Sequence, residues 1–261
     1  MPELELDDTS LYYDTTGEGP AVLFIHAGVA DSRMWNRQWS LDGCRLVRFD
    51  MRGFGRSGLG SVPFTNHADA LQLLDDLDVG RAVIVGCSIG AEATLQIAHS
   101  APERVAGLVL VGGDAPGFDP GIDYESPEWP EAVAAFEEGD LGRVAALEAE
   151  IWLAGRDRSI ADINESVVKL FIDMNLIALK NETRREELDV AQPLDELPEV
   201  DAPVQVIVGD RDLPQLIAAA EHLAGQLSDT SAEIITGTAH LPSMDRPDVF
   251  NTIIKRFLAS I

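Results

Sequence analysis

Ser88 stands at the centre of Gly86-Cys87-Ser88-Ile89-Gly90. Before it lies the β-branched run Val83, Ile84 and Val85; after it comes a stretch from Ala91 in which Ala93, Leu95, Ile97 and Ala98 suit a helix packed on a sheet. A strand that turns this sharply into a helix needs glycines two residues before and two after the serine, because a Cβ at either place would strike the neighbouring strand or helix. Such a turn lifts the hydroxyl out of the sheet beside a helix N-terminus, where free N–H groups and the helix dipole stabilise a developing oxyanion. The chemistry this suits is nucleophilic attack on an acyl carbon. G-x-S-x-G is common by chance, so the strand-turn-helix context carries the reading. Cys87, in the flanking place, reads as a small apolar residue pointing into the packing.

A serine hydroxyl needs a base to take its proton. Of the five histidines, His240 lies in Gly237-Thr238-Ala239-His240-Leu241-Pro242, after the strand-like run 233–235 and before an amphipathic helix at 247–258. A loop held between a strand and a helix gives an imidazole both reach and a fixed position. His26 closes the apolar run 21–25 and reads as shaping the loop that follows. His67, His99 and His222 fall in helical patterns among polar neighbours, where a lone histidine is ordinarily a surface or packing residue.

The base in turn needs a carboxylate to hold its tautomer and stabilise the imidazolium. After the apolar run 204–208 comes Gly209-Asp210-Arg211-Asp212-Leu213-Pro214. Asp212, further into the loop and directly before the Leu-Pro that opens the next helix, is preferred over Asp210 at the strand end. Asp114, in Val111-Gly112-Gly113-Asp114, stays as a third candidate. Taken singly, each of these acids would ordinarily be a turn former or a helix cap.

The elements that must bring these positions together follow from the apolar runs at 3–6, 10–13, 21–25, 45–49, 82–85, 105–111, 204–208 and 233–235. After a first hairpin they alternate with helical stretches. That pattern predicts an α/β fold with a mostly parallel eight-stranded sheet covered by helices on both faces. Residues 115–197 break the alternation, with turns rich in Gly and Pro followed by helical stretches at 131–136, 141–153 and 160–180. An insertion after the sixth strand lies above the carboxyl ends of the sheet, where ligands bind in open α/β folds. The expected division is therefore a core of 1–114 and 198–261 with a helical cap of 115–197. Trp152, Met174, Leu176 and Ile177 are the apolar residues expected in the roof of the pocket, and Leu241 is expected to bind substrate beside His240.

The order Ser88, Asp212, His240, each on a loop after a successive strand, resembles the α/β-hydrolase superfamily, in its serine-nucleophile branch of esterases and enol-lactonase-like members. Phe24-Ile25-His26-Ala27-Gly28, with Trp35 downstream, is similar to that family's H-G-x segment, and Asp50-Met51-Arg52-Gly53-Phe54-Gly55-Arg56-Ser57 matches its D-x-R-G-x-G-x-S loop. Trp152-Leu153-Ala154-Gly155-Arg156 looks like a segment of enol-lactonase-like members. The resemblance implies that Gly28 and Ile89 supply the two N–H groups of an oxyanion hole. It also implies that the triad acid is Asp212, or Asp114 if the chain follows dehalogenase-like members. Ala27 departs from the family's usual glycine. An aspartate at position 88 would have suggested displacement at carbon; a serine suggests acyl transfer.

The reaction expected is hydrolysis of a small carboxylic ester or lactone through an acyl-enzyme, without cofactor or metal. Carbon-carbon bond hydrolysis and a cofactor-free haloperoxidase or perhydrolase activity are the alternatives within the family. A ligand-binding protein without turnover is the alternative of another class. With 19 Lys+Arg against 45 Asp+Glu the formal net charge is -26, which repels nucleic acid and anionic membranes and leaves a small molecule as the expected partner. Cys44 and Cys87 are too few for a disulfide framework or a metal cluster. The first residues lack a signal-peptide pattern, so the sequence reads as cytoplasmic, a monomer or homodimer.

Overall fold

A computed structural model of the chain describes residues 2–227 and 232–261. Among the described residues, eight strands form one sheet: β1 (Glu3–Glu5), β2 (Ser10–Thr16), β3 (Ala21–Ile25), β4 (Arg45–Phe49), β5 (Ala82–Cys87), β6 (Val105–Val111), β7 (Val204–Gly209) and β8 (Ala232–Ile235). Their spatial order is β1-β2-β4-β3-β5-β6-β7-β8. The pairs β1 with β2 and β2 with β4 are antiparallel, and the other pairs are parallel. The expected sheet is present, and each apolar run of the sequence is a strand.

Every residue of β3 and of β5 is buried, as befits strands with helices on both faces. Alternate side chains divide between two layers of core. Val22, Phe24, Leu46, Val83, Val85, Val109 and Ile207 pack with Phe250, Ile253, Ile254 and Phe257 of α8 (Pro247–Leu258), which follows the one-turn α7 (Pro242–Asp245). Their neighbours Leu23, Ile25, Val47, Ile84 and Leu108 pack on the opposite face with Ala70, Leu73 and Leu74 of α1 (Asn66–Asp76) and with Ala93, Ile97 and Ala98 of α2 (Ile89–Ser100). Leu110, Val206 and Val208 meet Ala219, Ala220 and Leu223 of α6 (Pro214–Gln226).

Between β6 and β7 the chain builds α3 (Trp129–Glu138), α4 (Leu141–Glu148), a π-helical turn (Ala149–Ala154), a short 3-10 turn (Ile160–Asp162) and α5 (Glu165–Leu188). Two boundaries differ from the sequence reading. The stretch 141–153 is α-helical only to Glu148, and α5 runs past residue 180 to Leu188. This helical segment is tied to the strand-bearing body by Arg33 with Asp173 at 2.5 Å, Asn181 Nδ2 donating to the Gly53 carbonyl at 2.7 Å, and Asn66 Nδ2 donating to Asp189 at 3.0 Å. Among the described residues, no helix is long and apolar enough to cross a membrane.

Candidate active site

The elbow is built as its glycines require. Ser88 precedes α2 with φ 56° and ψ -121°, a conformation that costs a non-glycine residue of order 1–3 kcal/mol and persists only where packing over-determines it. A Cβ on Gly86 would strike the carbonyl of Gly90, and one on Gly90 would lie 2.5 Å from the Ile25 carbonyl oxygen. The Ser88 N–H donates to the Val111 carbonyl at 2.9 Å, pinning the turn to the end of β6. Helix α2 begins at Ile89, two residues earlier than the apolar pattern indicates. Ser88 is half-buried, whereas Cys87 beside it is fully buried with its Sγ 3.6 Å from the His240 carbonyl oxygen. Burial pushes the Cys87 thiol far above its ordinary range, so it holds no thiolate for nucleophilic work.

His240 and Asp212 are each 2% exposed, and Nδ1 of the imidazole lies 2.9 Å from Oδ2 of the carboxylate. The other carboxylate oxygen accepts from the Leu213 N–H at 2.8 Å, which fixes the acid's orientation. A ring nitrogen facing an ionised carboxylate carries the proton, which leaves Nε2 as the acceptor. Asp210 is used elsewhere: its Oδ1 accepts from the Gly237 N–H at 2.7 Å. Asp114 is exposed and lines a separate cavity with Glu92, Leu95 and Pro193. Gly112, which follows Val111, packs directly on the pair, since a Cβ there would lie 3.0 Å from His240 Nδ1 and 3.2 Å from Asp212 Oδ2. The turn at Ser88, Asp212 and His240 therefore lie together at the carboxyl ends of β5, β7 and β8, beside Gly112 at the end of β6. Gly112 is a contact that the sequence reading missed, although the Gly-Gly pair directly after β6 signals a close approach.

Gly28 and Ile89 are neighbours across the turn, with a Cβ on Gly28 coming 3.4 Å from the Ile89 side chain. Neither N–H is engaged by an acceptor among the described residues. His26 shapes this loop, as its place after β3 suggests. Its Nε2 accepts from the Met51 N–H at 2.9 Å, and Nδ1 donates to the Ala27 carbonyl at 2.8 Å. Burial lowers its pKa and keeps the ring neutral. The loop that begins at Asp50 is the brace behind it: Asp50 accepts from the N–H groups of Ser32 and Arg56, both at 2.8 Å. Ala27, where glycine is usual, is buried with its N–H directed at Met34 Sδ at 3.4 Å. The substitution leaves the Gly28 N–H in place.

His67 bonds Gln96 at 2.8 Å, and His222 stacks on Phe118 with ring centroids 4.0 Å apart, so both are engaged away from the elbow. Trp152 lies on the π-helical turn with its ring centroid 4.7 Å from that of His240, and Trp129 meets Trp152 edge-on at 6.1 Å. The buried indole N–H of Trp152 has no hydrogen-bond partner among the described residues. Two other residues expected at the pocket are more deeply placed than Trp152. Met174 and Leu241 are 0% and 1% exposed, within an apolar cluster that also holds Leu153, Phe171 and Met244, so they shape the seam between helical segment and body from behind. Leu176 turns toward Ala135, Val144 and Leu179, and Ile177 is half-buried. Among the described residues, no group of three or more His, Cys, Asp or Glu side chains could hold a metal ion.

The profile of the alpha/beta hydrolase family matches residues 22–253. The chain is 26% identical over 266 residues to 3-oxoadipate enol-lactonase 2 of Acinetobacter baylyi, covering 97% of this chain and 96% of that protein. Its fold is similar to a thermophilic esterase from Thermogutta terrifontis, with a TM-score of 0.83 and 24% identity over 100% of this chain and 99% of the other. It is likewise similar to the enol-lactonase from Burkholderia xenovorans LB400, with a TM-score of 0.81 and 22% identity over 99% of this chain and 100% of the other. With a profile match running from β3 into α8 and a sheet order that joins every element of the elbow, this chain belongs to the alpha/beta hydrolase family.

Proposed function

We propose that the protein is a serine hydrolase that cleaves a small carboxylic ester or lactone through an acyl-enzyme. The observation that carries this is the buried 2.9 Å contact between His240 Nδ1 and Asp212 Oδ2, set behind a half-buried serine at φ 56°. Ser88 Oγ attacks the carbonyl carbon while His240 Nε2 takes the hydroxyl proton. Asp212 holds the resulting imidazolium. The tetrahedral oxyanion is received by the N–H groups of Gly28 and Ile89. Collapse breaks the carbon-oxygen bond, and His240 returns its proton to the leaving alkoxide. In a lactone that alkoxide stays tethered to the acyl group. Water, deprotonated by His240, then attacks the acyl-enzyme and releases the carboxylic acid and Ser88.

Trp152, packed against the His240 ring, forms one wall of the substrate site. The names of the relatives, enol-lactonase and esterase, support the same reaction class. Ser88→Ala tests the assignment on p-nitrophenyl esters and small lactones. The expected result is a loss of kcat of roughly 10⁴- to 10⁶-fold with the melting temperature retained. Turnover at the wild-type rate would reject Ser88 as the nucleophile.

A further inference from the structure

Resting on the reading of Ser88, Asp212 and His240 as a triad, we propose that Arg156 is a positioning residue that locks the acid loop and the base loop in register from the helical segment above them. Three successive carbonyls of the acid loop are taken by this one residue. Its Nε donates to the Asp212 carbonyl at 2.9 Å, its Nη2 to the Asp210 carbonyl at 3.1 Å, and its main-chain N–H to the Arg211 carbonyl at 3.0 Å. The same turn holds the base loop, because the His240 N–H donates to the Trp152 carbonyl at 3.2 Å. Between these two anchors, Gly155 adopts φ 74° at a point of contact with both loops. A Cβ there would strike the Arg211 carbonyl oxygen and lie 2.5 Å from Ala239 Cβ.

An arginine is required for this task. Its planar fork spans two carbonyls at once, whereas an ammonium is a single point on a flexible stem. Although the chain carries 45 acidic residues, the Arg156 guanidinium is spent on main-chain carbonyls and has no ion pair among the described residues. Asp212 has its carboxylate 2.9 Å from the imidazole and its own carbonyl under the guanidinium, so a shift of the fork shifts the acid with it. Acid-base geometry tolerates little displacement, and a misplacement of about 1 Å can cost about 100-fold. The cap turn is thus a fixed strut of the catalytic geometry.

Arg156→Lys, which keeps the charge, and Arg156→Met, which removes it, test the strut against Asn181→Ala, which breaks a tie between α5 and the Gly53 carbonyl away from both loops. The readouts are kcat and KM for p-nitrophenyl acetate and the rate at which a fluorophosphonate labels Ser88. Both Arg156 variants are expected to lose roughly 10- to 100-fold in kcat and in labelling rate, with KM within about twofold of wild type. Asn181→Ala is expected to keep wild-type kcat. Should Arg156→Met fail to fold, Arg156→Lys decides alone. Wild-type kcat in Arg156→Lys, or a loss confined to KM, would overturn the strut. A wild-type protein that is never labelled would overturn the triad itself, whereas equal labelling of wild type and both variants overturns only the role of Arg156.

Discussion

Replacing Asp212 by Asn would keep the buried shape and one hydrogen bond to His240, but the amide would donate to Nδ1 and force the ring proton onto Nε2, the atom that accepts from Ser88 in the proposed reaction. Asp212→Asn is expected to lower kcat about 10⁴-fold on a p-nitrophenyl ester. Asp210→Asn retains an acceptor for the Gly237 N–H and should stay within a few-fold of wild type; equal losses in the two variants would contradict the choice of acid. The sequence favoured Asp212 by its place in the loop. What it did not show is the Leu213 N–H that aims one oxygen and frees the other for His240. Arg156 was not legible as a brace at all, because its carbonyl partners lie 56 and 54 residues further along the chain and an arginine donating to main-chain oxygens leaves no pattern in residue types.

Elements of the body were legible because parallel strands covered on both faces read as unbroken apolar runs, and because the apolar positions of α8 recur at helical spacing. Helices above the sheet were harder. The last turns of α5, through Arg184, Arg185, Glu186 and Glu187, carry no apolar period and are held by tertiary ties such as Asn66 with Asp189 and Arg185 over the Phe54 ring at 4.3 Å. The π-helical turn that carries Trp152 has no local signal either. Between α4 and α5 a buried carboxylate gives this segment a pH dependence. Glu148 accepts from Asn175 Nδ2 at 2.5 Å, and burial pushes its pKa up from 4.5 to about 7. The folded protein therefore holds a proton that the unfolded chain releases from about pH 4.5 upward. The associated stability is complete below that pH and is lost as pH rises to about 7, by about 3 kcal/mol at most. Glu148→Gln removes this titration while keeping an acceptor for Asn175. Its melting temperature is expected to rise relative to wild type between pH 5 and pH 8; a constant gap across that range would contradict the assignment.

Over the whole molecule, 45 acidic residues against 19 basic ones make cations scarce, and several arginines are committed to internal ties. Arg52 joins Asp8 and Asp69, Arg33 joins Asp31 and Asp173, and Arg158 joins Asp245. These pairs fasten loops and helices drawn from the two ends and the middle of the chain. Residues 88, 212 and 240 converge at one end of the sheet because they follow β5, β7 and β8. In the proposed reaction that convergence makes Ser88 Oγ the atom that is acylated. Mixing the protein briefly with p-nitrophenyl acetate, quenching in acid and mapping peptides by mass spectrometry tests it most directly. The predicted result is an acetyl group on Ser88 that is absent from Ser88→Ala; continuing turnover with Ser88 unmodified and the acetyl group carried elsewhere would contradict it.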